Sequence, residues 1–137
     1  MSGKQFIDTN ILAYAFDHHD QARRGAAKRV LRNLAASRRG VVSTQILQEL
    51  YAVLTRKLQI DPAAARRGVV GASNYEVVTL TSAMVLEAID CSALDQLTIW
   101  DALVVVAASY ARCEELLTED LNAGQVVRGV RIVNPFA

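Results

Sequence analysis

The chain has 137 residues, 52% of them hydrophobic, which is the size and apolar content of one compact domain over residues 1–137. Its longest apolar run, residues 102–108, is much shorter than the ~20 residues of a membrane span, and the N-terminus has no signal-peptide pattern, so we expect a soluble cytoplasmic protein. Two cysteines and a net charge of +1 argue against a disulfide framework, a zinc site and a uniformly basic surface.

The predicted elements alternate between strands and helices along the chain. A short strand ends at Asp8, and a helix follows it with Thr9 or Asn10 as its cap. The predicted strands are residues 4–7, 41–43, 76–80, 115–117 and 130–133, and the predicted helices are residues 10–16, 21–36, 44–58, 82–90 and 98–112, with a further helix from Pro62. This alternation predicts a three-layer α/β/α domain with a central parallel sheet of about five short strands.

Four acidic residues lie at the ends or in the first turns of these elements. Asp8 ends the first strand, Asp120 follows the fourth, and Glu49 and Asp101 lie near the start of two helices. Because open parallel sheets bind ligands at the carboxyl ends of their strands, we expect the four carboxylates at the same rim. Apolar residues surround Asp101 in the sequence, among them Trp100, and an unpaired acid is costly in such surroundings.

Each acid taken singly also has a purely structural explanation. The alternatives are a helix cap for Asp8, an Asx-turn for Asp120, a capping box with Thr98 for Asp101, and a solvated helix position for Glu49 balanced by Arg56 or Lys57. Only the joint occurrence of the four argues for a site.

Four carboxylates at one rim repel one another, so either some are protonated or a cation joins them. Oxygen ligands alone select Mg²⁺ or Mn²⁺ rather than zinc, and such an ion activates water and stabilises charge during phosphodiester hydrolysis. The hypothesis is that Asp8, Asp101 and Asp120 hold the metal directly or through water. Glu49 then orients or deprotonates the attacking water or completes a second metal site.

Three polar residues next to the acids are candidates to hold the carboxylates in place by hydrogen bonds. They are Thr9, Asn10 and Thr118.

Basic residues are concentrated in one predicted helix and directly after it, since seven of the fifteen lie between residues 23 and 39. Arg24, Lys28 and Arg32 recur at four-residue spacing, which places them on one helix face that could follow a phosphate backbone. The alternative is that they are only the solvated side of an amphipathic helix whose buried face is Ala22, Ala26, Val30 and Leu34.

Four segments resemble, in order, the motifs of the PIN-domain ribonucleases. They are Phe-Ile-Asp-Thr-Asn-Ile-Leu at residues 6–12, residues 43–49 with their helical glutamate, Trp-Asp-Ala at residues 100–102 and Thr-Glu-Asp-Leu at residues 118–121. In length the chain is most similar to VapC, the toxin of type II toxin-antitoxin modules, while residues 73–92 match no family feature. The resemblance implies metal-dependent endonucleolytic cleavage of RNA by Asp8, Glu49, Asp101 and Asp120.

The resemblance also implies two protein partners. A VapB-like antitoxin would lay its C-terminal segment across the active-site groove and offer an arginine to the carboxylates. A homodimer is usual in the family, and residues 69–75 are candidates for its interface.

Other functions fit the sequence less well. A haloacid-dehalogenase-type phosphatase needs a second acid where Asn10 stands, a receiver domain needs a late lysine although none follows Lys57, and a dinucleotide-binding enzyme needs a glycine-rich first turn. The alternative that remains is a PIN-like protein-binding module whose catalysis is weak or absent.

Overall fold

The computed structural model describes residues 3–137, which contain six strands and six α-helices. In chain order they are β1 (Gln5–Ile7), α1 (Thr9–Tyr14), α2 (Gln21–Ser37), β2 (Gly40–Ser43), α3 (Thr44–Ala52), α4 (Pro62–Ala72), β3 (Glu76–Val78), α5 (Ser82–Asp95), α6 (Ile99–Tyr110), β4 (Glu115–Leu117), β5 (Val126–Val127) and β6 (Val130–Val133). A π-helical turn, Val53–Lys57, continues α3.

The strands form one sheet in the order β3-β2-β1-β4-β6-β5. Five of them are parallel, and Phe6 of β1 lies opposite Val41 of β2 and Leu116 of β4. The predicted mixed α/β fold with a parallel sheet of about five strands is therefore confirmed. The sequence did not predict β5, a two-residue strand that pairs antiparallel with β6 at the sheet edge.

The core explains why α6 is apolar on nearly every side. Its residues Ala102–Ala108 are all buried, and the helix packs against α5 and against strands β2, β4 and β6. Trp100 is different, since 63% of its surface is exposed. It does not bury Asp101 in the way that the sequence analysis expected.

Side-chain caps begin all six α-helices of the described chain, and each cap is the residue before the helix. At α1 the cap is Asp8 rather than Thr9 or Asn10, because the carboxylate of Asp8 accepts a hydrogen bond from the backbone of Thr9. The structural explanation for Asp8 therefore holds alongside its place in the candidate site.

The predicted helix over residues 44–58 is interrupted. After Ala52 the backbone hydrogen bonds join residues that are five apart rather than four apart. The N–H of Leu58, for example, donates to the carbonyl of Val53 at 3.1 Å. Such π-helical turns are rare and frequently lie at functional sites.

The buried face of α2 agrees only in part with the predicted one. Leu34 is buried and Val30 packs against the core as predicted, whereas Ala22 is exposed, and Ala27 and Leu31 also belong to the buried face. The contacts of α2 with α1 and β2 favour the larger Leu31 over the early alanine, because it buries more apolar surface.

Gly40 of β2 leaves room for an aromatic ring. A Cβ atom at this position would lie 2.5 Å from Cδ1 of Tyr75, which is closer than two carbon atoms can approach. The hydroxyl of Tyr75 donates to the carbonyl of Leu31 at 2.8 Å, so the ring ties β2 to α2.

Within residues 3–137 no single helix is long and apolar enough to cross a membrane, although α5 and α6, joined at a bend of 114°, reach that length and composition together. Apolar side chains are exposed at Val70, in the segment expected to contribute to a dimer interface, and more strongly on α5 at Leu86, Ile89 and Leu94.

Candidate active site

Asp8 lies directly after β1, and only 8% of its surface is exposed. Its carboxylate accepts hydrogen bonds from the N–H of Thr9 and the hydroxyl of Thr118, both at 2.8 Å. Burial raises the pKa of Asp8 to about 6; the two hydrogen bonds oppose the rise, and the charges of Asp120 and Glu49 add to it. A buried acid with neighbouring negative charges favours the approach of a cation.

Thr118 connects Asp8 to Asp120. It directly follows β4, the parallel neighbour of β1, and it is fully buried. Its hydroxyl oxygen accepts a hydrogen bond from the N–H of Asp120 at 3.1 Å, and the amide of Asn10 donates to the carboxylate of Asp120 at 2.8 Å. The ends of β1 and β4 thereby bring two acids together that are far apart in sequence.

Glu49 lies one turn into α3, which Ser43 caps at the end of β2. One carboxylate oxygen accepts from the hydroxyl of Thr9 at 2.9 Å, and the other accepts from the amide of Gln45 at 3.3 Å. The ion pairs of residues 3–137 do not include Glu49, so neither Arg56 nor Lys57 makes a direct ion pair with it.

Asp101 lies in the first turn of α6, and its N–H donates to Thr98 at 3.1 Å, the contact expected of a helix cap. The amide of Gln45, which binds Glu49, also donates to the carbonyl of Trp100 at 3.2 Å. Hydrogen bonds thus join Asp8, Glu49 and Asp120 through Thr9, Asn10 and Thr118, and Gln45 links Glu49 to the backbone beside Asp101.

The donor set fits a hard divalent cation in its chemistry. The four acids take part in no ion pair within the described chain, and the buried side-chain oxygens of Asn10 and Gln45 have no hydrogen-bond donor there. Across residues 3–137 no three His, Cys, Asp or Glu side chains are already close enough to form a metal site. A bound metal would therefore have to draw the carboxylates inwards.

A groove of about 440 Å³ lies beside Glu49 and Asp120, whereas Asp8 and Asp101 are not among its lining residues. Its walls are Thr9, Asn10, Ala13, Tyr14, Asp17, Glu49, Ala52, Val53, Lys57, Leu58, Glu119 and Asp120. It combines an acidic end, an apolar wall and one basic side chain, Lys57.

Tyr14, on the groove wall, belongs to a cluster that ties α1 to the segment after β4. Its hydroxyl donates to Glu119 at 2.7 Å, and the guanidinium of Arg23 donates to the same carboxylate at 2.6 Å. Arg23 also lies 5.6 Å from the centre of the Tyr14 ring and 5.7 Å from that of Phe136. The cluster fixes the residue next to Asp120.

The predicted RNA-binding residues Arg24, Lys28 and Arg32 lie on α2 and do not line the groove. Arg32 is exposed, whereas Arg24 and Lys28 are half-buried. Their contact with RNA stays a prediction.

Several residues of this region were not predicted from the sequence. Gln45 could have been found, since it lies four residues before Glu49 on the same helix face. The contact between Tyr14 and Glu119 spans 105 residues, and it has no local sequence signal.

The sequence profile of the PIN domain matches residues 6–128. The chain belongs to the PIN domain family. Among solved structures, a toxin-antitoxin complex from Klebsiella pneumoniae is similar with a TM-score of 0.70 and 19% identity, over 96% of this chain and 98% of that one. VapC20 of Mycobacterium tuberculosis, described as a toxin that cleaves the sarcin-ricin loop, has a TM-score of 0.66 and 22% identity over 82% and 87% of the two chains.

A third solved structure, DNA-bound VapBC from Salmonella typhimurium, gives a TM-score of 0.66 at 19% identity, over 95% of this chain and 96% of that one. No curated protein sequence is significantly similar to the chain. Because the structural neighbours are at most 22% identical, they show the fold of the chain and nothing further. The match to the family profile shows that this fold is a PIN domain.

Proposed function

We propose that this PIN-domain protein is an endoribonuclease that hydrolyses RNA phosphodiester bonds with Mg²⁺, for which Mn²⁺ substitutes, and that it is the toxin of a VapBC-type pair. The observation that carries the proposal is the buried Asp8 carboxylate, which has no basic partner in the described chain and shares a hydrogen-bond network with Glu49 and Asp120.

In this proposal Asp8, Asp101 and Asp120 hold the metal directly or through water, and Glu49 orients or deprotonates the attacking water or holds a second ion. The bound metal supplies a water of lowered pKa and charge stabilisation at the phosphoryl group. Thr118 orients Asp8, Asn10 orients Asp120, and Thr9 orients Glu49 through the hydrogen bonds described above.

The test is cleavage of structured RNAs by purified protein in Mg²⁺ or Mn²⁺, with the sarcin-ricin loop, transfer RNA and messenger RNA as separate substrates. We expect discrete products from wild type and none from Asp8→Asn or in EDTA. Asp90→Asn, a matched change at an exposed position of α5, should cleave like wild type. Equal cleavage by Asp8→Asn and wild type would contradict the proposal.

A second candidate is a PIN-like protein-binding module with weak or absent catalysis. It is favoured by the separation of the acids, since no three of them form a ready metal site within residues 3–137. Isothermal titration with Mn²⁺ distinguishes the two functions. A ribonuclease should bind Mn²⁺ and lose this binding in Asp8→Asn, whereas a binding module should show no Mn²⁺ binding that depends on Asp8.

The proposed partner is a VapB-like antitoxin whose arginine pairs with the carboxylates and competes with the metal. We also propose that the protein is cytoplasmic and forms a homodimer. Residues 69–75 contribute to the interface between its two copies. Light scattering after gel filtration measures the dimer, and Val70→Lys, at an exposed position of that segment, should shift it towards monomer.

A further inference from the structure

Lys57 is a cation without a carboxylate partner at the edge of an acidic groove. The ion pairs of residues 3–137 do not include it, although Asp17, Glu49, Glu119 and Asp120 line the same groove. Its charge is therefore available to an anion that enters the groove, and the acids would repel that anion from the other walls.

The π-helical turn determines which side chain faces the groove. In an uninterrupted α-helix Lys57, eight residues after Glu49, would lie ~80° around the helix axis from it. A π-helical turn accommodates one extra residue, so Lys57 takes roughly the position of a seventh residue, ~20° from Glu49. Glu49, Val53 and Lys57 accordingly line one groove, whereas Arg56 does not.

The rest of the groove is suited to a flat apolar group. Ala13, Val53 and Leu58 form its apolar wall, and the ring of Tyr14 lies beside them. The Tyr14 ring is held by the hydrogen bond of its hydroxyl to Glu119 and by contact with Arg23. Unpaired RNA bases stack on aromatic side chains of this kind.

The volume of the groove limits the size of its occupant. About 440 Å³ lies within the range of ~300–1,000 Å³ that is usual for sites binding one small molecule. The groove is therefore large enough to hold one unpaired nucleotide.

We propose that the groove is a nucleotide subsite, in which Lys57 binds a backbone phosphate of single-stranded RNA and the adjoining base packs between Tyr14 and the wall of Val53 and Leu58. This inference rests on the proposed ribonuclease function. It makes the π-helical turn a specificity element, because the turn sets the distance and direction between the phosphate-binding cation and Glu49.

The test uses an RNA oligonucleotide that the wild-type protein cleaves, labelled with fluorescein and bound in EDTA so that it stays intact. Lys57→Met should weaken its affinity about tenfold, the effect of losing one charge-assisted contact, and should reduce the salt slope by about 0.7. Lys57→Arg should retain most of the affinity. Arg56→Met is the matched control, since it removes the same charge from the same turn, and its affinity should stay within about twofold of wild type.

A single abasic residue, moved along the same oligonucleotide, tests the base subsite. We expect one position at which its introduction weakens binding by wild type. No sensitive position would overturn the base subsite, and equal affinities of Lys57→Met and Arg56→Met would overturn the phosphate contact, while cleavage by wild type upholds the proposed function in both cases.

Two further outcomes would overturn this inference for other reasons. If wild type neither binds nor cleaves any RNA class, the proposed function fails and this inference fails with it. If Lys57→Met binds RNA like wild type but loses a co-expressed antitoxin, Lys57 belongs to a protein interface and the inference is overturned.

Discussion

Asp8 must lose its proton before it can bind a metal, and the fold makes that loss harder. Burial raises its pKa from 3.8 to about 6 in the metal-free protein. The folded state therefore holds this proton more tightly than the unfolded state, so the contribution of Asp8 to stability is greatest below pH ~4 and is lost as the pH rises through about 6. At neutral pH the charged, buried Asp8 is a source of instability.

Asp8→Asn should consequently remove this pH-dependent loss of stability from the metal-free protein. Urea unfolding in EDTA should show the free energy of the variant rising relative to wild type by about 3 kcal/mol between pH ~4 and pH ~7.5, because each pKa unit corresponds to ~1.4 kcal/mol. Mg²⁺ should stabilise wild type at the higher pH and leave the variant unchanged. A difference between the two proteins that does not vary with pH would contradict this reading of Asp8.

The hydroxyl of Thr118 makes two hydrogen bonds to the acids. A methyl group in its place, as in valine, can make neither of them. Thr118→Val keeps the shape of the side chain but removes the donor to Asp8 and the acceptor for the N–H of Asp120. We expect Mn²⁺ affinity to fall about 10- to 100-fold, as is typical for groups that orient metal ligands.

The matched control for Thr118→Val is Thr55→Val, whose hydroxyl donates only within its own helix. Isothermal titration should give wild-type Mn²⁺ affinity for this control. If Thr118→Val and Thr55→Val bind Mn²⁺ equally well, Thr118 has only a structural role.

At the scale of elements, the packing of Tyr75 on Gly40 makes β2 sensitive to one methyl group. Gly40→Ala should destabilise the protein by about 1–3 kcal/mol, because the ring has to move to admit the new Cβ atom. Gly71→Ala is the control in α4, where a Cβ atom would meet nothing within 4 Å, and it should stabilise by up to about 1 kcal/mol. Urea unfolding of both variants measures the contrast, and destabilisation by both would contradict it.

The elements that the sequence predicted are those whose signals are local. Thr98 caps α6 at the position that its sequence pattern indicated, and the five parallel strands have short apolar runs. The break in the helix after Ala52 has no such signal, because a π-helical turn depends on how the helix packs rather than on its composition. The strand β5 was missed because two residues are too few to show an alternating pattern.

The candidate site could be predicted as a set of residues but not as a geometry. Four acids at the ends of elements were visible in the sequence, since strand ends in a parallel sheet share one edge. Their separation, and the role of Gln45 between Glu49 and the carbonyl of Trp100, depend on contacts between distant segments. Such contacts follow from packing, which a single sequence does not show.

At the scale of the whole molecule, a net charge of only +1 leaves RNA with little general attraction, so local basic faces must supply it. If α2 provides one, the double variant Lys28→Gln, Arg32→Gln should weaken RNA binding and lower its salt slope by about 1.4, the value for two phosphate contacts to a single strand. The control is Arg66→Gln, Arg67→Gln on α4. Equal salt slopes for the two variants, measured by fluorescence anisotropy, would show that α2 is only a solvated face.

The hydrogen bond between Thr118 and Asp8 spans 110 residues of the chain. β1 is made first but pairs with β4, so the carboxylate network stays incomplete on a nascent chain until synthesis has passed Thr118. Contacts of such long sequence separation also form late in folding. If the protein cleaves RNA, the ribosome that makes it is therefore spared its activity at least until Thr118 has been synthesised.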